Sequence, residues 1–92
     1  YWWNQDSEKI CVYVPVTPET DRAAVDFSIR PRGIRLAIDG VTIVEGTPFR
    51  RLLPADCLWL MDKENEPPFL QLELYKEDDF QNWPDLLREG SV

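Results

Sequence analysis

The sequence predicts an all-β chain folded as a compact antiparallel sandwich, and three observations predict it. Short apolar runs alternate with polar residues at a period of two, turn signals recur at intervals of about 8–12 residues, and no long helical periodicity competes with them. Ninety-two residues suffice for one domain, which buries about 60–65% of the surface its unfolded chain exposes. The domain is expected to span residues 1–92, with a core over 1–76 and a capping segment over 77–92. The chain opens on Tyr1 and shows no basic stretch followed by an apolar one, which points to a piece of a longer protein.

The elements follow in order. Ile10, Val12, Val14 and Val16 alternate with Cys11, Tyr13 and Pro15, so one strand face is apolar, and Pro15 marks an edge or a strand end. Residues 17–21 form a loop, because Pro18 removes a donor and the Thr and Asp side chains compete for backbone bonds. Val25, Phe27 and Ile29 then face inward, opposite Asp26, Ser28 and Arg30, as far as a tight connection at Pro31-Arg32-Gly33. Ile34, Leu36 and Ile38 form the returning strand, and Asp39-Gly40 is the strongest hairpin signal in the chain. A strand over residues 41–44 closes at Glu45-Gly46. Residues 49–53 are apolar around Arg50-Arg51 and have no periodicity that assigns their facing; Pro54-Ala55-Asp56 ends them. Residues 57–61 are almost continuously apolar, and residues 62–68 form a solvated loop. From Phe69 to Lys76 clean alternation returns, with Leu70, Leu72 and Leu74 inward. In the tail, Pro84 as a first helical residue, Leu86-Leu87 and Gly90 as a C-cap suggest a turn or short helix.

Composition excludes several functions. With 43% hydrophobic residues, 29% charged residues and a net charge of −7, the chain is an ordinary globular domain and a poor match for nucleic acid, whose binding rests on clustered Lys and Arg. No apolar run approaches the roughly 20 residues of a membrane span. The chain has no histidine, so Ser7, Ser28 and Ser91 lack a base for acyl transfer, and Cys11 and Cys57 lack partners for a metal site. The two thiols read as reduced, small apolar residues. The carboxylates lie mainly in loops and the tail, where solvent keeps them ordinary, and the glycines sit singly at turns. No enzyme, cofactor or metal is therefore expected. Arg30, Arg32 and Arg35 around one turn, together with Arg50-Arg51, read either as a solvated turn and a charge-protected edge strand or as a landing point for an acidic partner.

Four tryptophans are more than so small a core usually holds, and Trp is a frequent contact residue because it joins large area to an indole donor. Trp3 and Trp59 are assigned to the core or its rim. Trp2 is a contact candidate, while Trp83, beside Pro84, either caps the sandwich or meets a partner. The expected contact surface is Trp2, Tyr13, Tyr75, Lys76 and Trp83, with Arg50 and Arg51 as electrostatic guides.

Taken together and in order, the motifs resemble the CS domain of co-chaperones, and within it the NudC, or nuclear-distribution, branch. The resemblance covers nearly the whole chain. It is carried by Tyr1-x-Trp3-x-Gln5, Val12-Tyr13-Val14-Pro15, Ile34-Arg35-Leu36-Ala37-Ile38, Ile43-Val44-Glu45-Gly46, Trp59-Leu60-Met61-Asp62, Leu72-Glu73-Leu74-Tyr75-Lys76 and Asn82-Trp83-x-x-Leu86-Leu87. It implies an antiparallel sandwich of seven to eight strands of the HSP20-like type, without catalytic activity. It also implies a co-chaperone role: binding the ninety-kilodalton heat-shock chaperone or propeller-repeat clients of the dynein pathway, in the cytoplasm and also the nucleus. Lys76 matches the family's lysine after the last main strand. Pro15 stands on the strand where the kinetochore and immunity co-chaperone branch carries a chaperone-contacting aromatic, so that contact is not reproduced, and the chain departs from the family pattern at the shortened turn Asp39-Gly40 and in the longer loop holding Pro67-Pro68. An oligomeric holdase of the small heat-shock type is the alternative. Glu89-Gly90-Ser91-Val92 lacks the Ile-x-Ile anchor such proteins use, so the isolated domain is expected to be a monomer.

Overall fold

A computed structural model of the chain describes residues 1–77 and 82–87. It contains seven strands: β1 (Trp2–Gln5), β2 (Lys9–Pro15), β3 (Val25–Arg30), β4 (Gly33–Ile38), β5 (Val41–Gly46), β6 (Leu58–Asp62) and β7 (Phe69–Tyr75). A four-stranded sheet in the order β1-β2-β7-β6 packs on a three-stranded sheet in the order β3-β4-β5, and every pairing is antiparallel.

The core is what the alternation selects. Ile10, Val12 and Val14 of β2 and Leu70, Leu72 and Leu74 of β7 meet Ile34, Leu36 and Val44 of the opposite sheet, all buried in one cluster. Trp3 and Trp59 are half-buried against that cluster, as expected. β2 and β7 pair along their whole length, from Lys9 opposite Tyr75 to Pro15 opposite Phe69. Pro15 is therefore the last residue of an interior strand, where it removes only a terminal ladder bond.

Turn chemistry fixes the hairpins. Ile38 pairs with Val41 across Asp39-Gly40, whose φ values of 53° and 78° are the two positive angles of a type I′ turn. Arg30 pairs with Gly33 across Pro31-Arg32. Between β1 and β2 the Asp6 carboxylate accepts the backbone N–H groups of Glu8 (2.8 Å) and Lys9 (2.9 Å). These bonds hold its pKa below the ordinary 3.8.

Two expectations are revised, and one run whose facing the sequence left open is resolved. The Arg50-Arg51 segment is not an edge strand: it makes only isolated bridges, Leu52 with Lys76 and Pro48 with Leu87, and buries Leu52 while Arg50 and Arg51 stay exposed. The continuous apolar run at 57–61 is an edge strand that alternates, with Trp59 and Met61 inward and Leu58 and Leu60 outward. The tail over 82–87 forms bends rather than helix, and the proposed cap Gly90 lies outside the described residues. Both cysteines are free thiols.

Candidate protein-interaction face

Because side chains alternate, the strand register determines what the four-stranded sheet shows to solvent. Trp2 lies opposite Tyr13 across β1 and β2, and the rings stack with centroids 5.5 Å apart and an interplanar angle of 16°. Tyr13 in turn meets Phe69 of β7 edge-on at 5.8 Å and 69°. Across β7, Leu58 stands opposite Glu73 and Leu60 opposite Gln71. The result is a face with an aromatic row at one end and a leucine edge along β6. Trp2 is 52% exposed, Leu58 44% and Leu60 38%.

The other end of the face is polar. Lys9 pairs with Glu73 at 2.8 Å, and its ammonium lies 5.9 Å from the Tyr75 ring centroid. The hydrogen bond and charge of Glu73 raise the Lys9 pKa above 10.5. Cys11 is buried between these neighbours and takes a long 3.7 Å contact from the Gln71 amide. Cys57, at the foot of β6, donates its thiol to the Leu53 carbonyl at 3.2 Å and accepts from the Tyr75 N–H at 3.3 Å. Burial, as the largest cause, raises its pKa above 9.0.

Of the seven expected contact residues, Trp2, Tyr13 and Tyr75 share this face. Lys76 and Trp83 do not: they are 1% and 2% exposed. Gln5 holds them together. Its Oε1 accepts from Lys76 Nζ and from the Trp83 N–H, both at 2.9 Å, and its Nε2 donates to the Trp83 carbonyl at 2.7 Å. Lys76 Nζ also donates to the Asp6 carbonyl at 2.7 Å. The Trp83 ring packs on Phe49 with centroids 6.4 Å apart. Trp83 thus closes the sandwich, the capping alternative, and Lys76 is a buried strut rather than a surface cation. Arg50 and Arg51 belong to none of the four strands. They line a separate hollow with Arg32, Thr47 and Glu77.

Leu58, Leu60 and Phe69 complete the face and were not singled out from the sequence. For Phe69 the signal existed, since it is in phase with the outward Gln71, Glu73 and Tyr75. For the two leucines it did not, because an uninterrupted apolar run carries no period. The arrangement offers stacking and apolar contact beside one ion pair, and the described residues contain no cluster of His, Cys, Asp and Glu suited to a metal.

Comparison with known proteins agrees with this geometry. The chain is 24% identical over 84 residues to Protein BOBBER 2 and 26% identical over 84 residues to Protein BOBBER 1, both from Arabidopsis thaliana. In each case 90% of this chain is matched, and it spans only 28% and 27% of those proteins. Among solved structures, the nuclear movement protein from E. cuniculi GB-M1 superposes with a TM-score of 0.82 at 19% identity, covering 96% of this chain and 98% of that one. The CS domain of human KIAA1068 protein superposes with a TM-score of 0.75 at 24% identity, covering 94% of this chain and 70% of that one. The family model for the CS domain matches residues 1–77, the whole sandwich, and on that ground the chain belongs to the CS domain family.

Proposed function

We propose that the chain is a non-enzymatic interaction module of the co-chaperone type, which holds a chaperone or a client protein against the outer face of its four-stranded sheet. One observation carries this reading: Trp2, Tyr13 and Phe69 form a contiguous aromatic row on a face that also exposes Leu58 and Leu60. A half-exposed Trp offers on the order of 100 Å² of apolar area, so covering Trp2 alone contributes about 2 kcal/mol. The absence of histidine from the sequence removes the usual general base and supports a contact role. The resemblance to the NudC branch extends the proposal to the heat-shock chaperone and to propeller-repeat clients of the dynein pathway as partners, in the cytoplasm and nucleus.

Titrating the isotope-labelled chain with the chaperone, and separately with a propeller client, tests the proposal by NMR. Shifts are expected to concentrate on Trp2, Tyr13, Phe69 and Leu60, and Trp2→Ala should weaken binding about tenfold or more without unfolding the domain. A folded domain that shifts with neither partner, or shifts only elsewhere, refutes the reading. A stable large oligomer in sedimentation refutes it in favour of the holdase.

A further inference from the structure

Five of the chain's ten basic residues lie around two adjoining hollows at the end of the sandwich opposite the Asp39-Gly40 turn. One hollow, of about 390 Å³, is lined by Arg32, Arg50 and Arg51; the other, of about 430 Å³, by Arg30, Arg32 and Arg35. Arg32 and Thr47 border both, so the two form one continuous trough. Local carboxylates neutralise only part of it. Arg35 is held by Asp26 at 3.1 Å and by Glu45 at 3.3 Å, and Arg51 by Glu77 at 3.1 Å. Arg30, Arg32 and Arg50 have no carboxylate within 4.0 Å among the described residues.

We infer that this trough is a second binding site, independent of the aromatic face, and that it takes a carboxylate-rich segment of a partner protein in contact with Arg30, Arg32 and Arg50. Three arguments support it. A chain with seventeen acidic residues has ample carboxylate to pair every cation, yet among the described residues these three guanidinium groups stand together without a carboxylate partner. All five cations are arginine, whereas Lys9, Lys63 and Lys76 lie elsewhere, and the planar guanidinium fork matches a carboxylate with two parallel hydrogen bonds. The net charge of −7 does not forbid an acidic ligand, because charges more than about 8 Å away are screened at physiological salt and the near field belongs to the arginines.

The same features disfavour nucleic acid. Three cations without a carboxylate partner among the described residues neutralise at most about three phosphates, and Glu45 and Glu77 on the border, with Asp26 beside Arg35, repel the rest of a long polyanion. Together with the aromatic face on the other sheet, the trough makes the domain a two-sided adaptor, with an apolar contact on one side and an acidic segment on the other.

Fluorescence anisotropy of a labelled eight-residue peptide of alternating Glu and Ser, titrated with the 92-residue chain, tests the site. Binding is expected at 50 mM salt and should weaken about tenfold at 200 mM, as for a contact made of a few ion pairs. Arg32→Glu should weaken it about tenfold or more, and Arg32→Lys about threefold, because the charge stays and the fork is lost. Lys63→Glu, the same change of charge in the distant β6–β7 loop, should leave binding as it is. No binding at 50 mM salt, an equal loss with Lys63→Glu, or tighter binding of an octanucleotide RNA than of the peptide would each overturn the inference.

Discussion

Replacing Trp83 by alanine separates a residue that closes the fold from one that meets a partner. The Trp83 side chain is buried against Phe49, and its backbone is gripped on both sides by Gln5. Removing the indole takes about 200 Å² of apolar surface out of the core, an upper value of about 5 kcal/mol at 25 cal/mol per Å². Residues 82–87 touch the body also through the Phe49 N–H to Leu86 carbonyl bond and the Pro48–Leu87 bridge. In the variant this short segment can lift away locally and relieve part of the cavity, so about 3 kcal/mol is the expected global loss. For a 92-residue chain whose whole stability is about 5–14 kcal/mol, that lowers Tm by about 12 °C or more. Urea denaturation followed by far-ultraviolet circular dichroism measures it without relying on the fluorescence of the deleted ring. Trp83→Phe, which keeps most of the buried area, should lose less than half as much. A Trp83→Ala variant that melts within about 2 °C of the parent while losing partner affinity would refute the capping role and restore Trp83 as a contact residue.

Gln5→Ala removes three part-buried hydrogen bonds at once and should cost about 2–4 kcal/mol. Because Gln5 shares one of those bonds with Lys76, a double-mutant cycle with Lys76→Met should show a coupling of about 1 kcal/mol or more, and strict additivity would break the proposed strut. The Asp6 pKa is lowered in the folded state by the Glu8 and Lys9 N–H groups. Its contribution is therefore complete above the unfolded value and is lost as pH falls through the folded one. Denaturation midpoints of the parent and Asp6→Asn should differ at neutral pH and converge in acid below the ordinary 3.8; a gap that persists in acid would refute this. Gly40 has a φ of 78° and nothing within 4 Å of where a Cβ would stand, so Gly40→Ala should cost about 1–2 kcal/mol of backbone strain alone. Alkylation of the buried Cys11 and the pKa-raised Cys57 by iodoacetamide should be slow at pH 7 in the native state and fast in urea.

Legibility in the sequence followed the range of the physics involved. Ile10, Val12 and Val14, and Leu70, Leu72 and Leu74, announced their facing through a period that needs only neighbours in sequence, and each is buried as that period requires. Asp39-Gly40 likewise carried its turn within two residues. Residues 49–53 had no period to read, because their shape is set from outside: the Leu52 N–H bonds to the Pro31 carbonyl and the Leu53 N–H to that of Tyr75. Lys76 shows the same limit more sharply. Lysine belongs at the surface by default, and its burial rests on acceptors remote in sequence, among them the Gln5 side chain, 71 residues away, and the Asp6 carbonyl. The candidate contact surface was therefore read in part. Trp2, Tyr13 and Tyr75 were expected on it and share it, while Lys76 and Trp83 turned inward and Leu58, Leu60 and Phe69 took their place.

The sequence by itself determined that the chain is a sandwich, where its alternating strands lie and turn, which residues of those strands fill the core and which family it resembles, because alternation and turn chemistry act over a few residues. Tertiary structure alone decided which strands became neighbours. Backbone pairing is nearly blind to side chains, so packing of the two sheets chose the order β1-β2-β7-β6. That choice brought Trp2, Tyr13 and Phe69 into one aromatic row on the four-stranded sheet and gathered Arg30, Arg32 and Arg50, without a carboxylate partner among the described residues, around one trough.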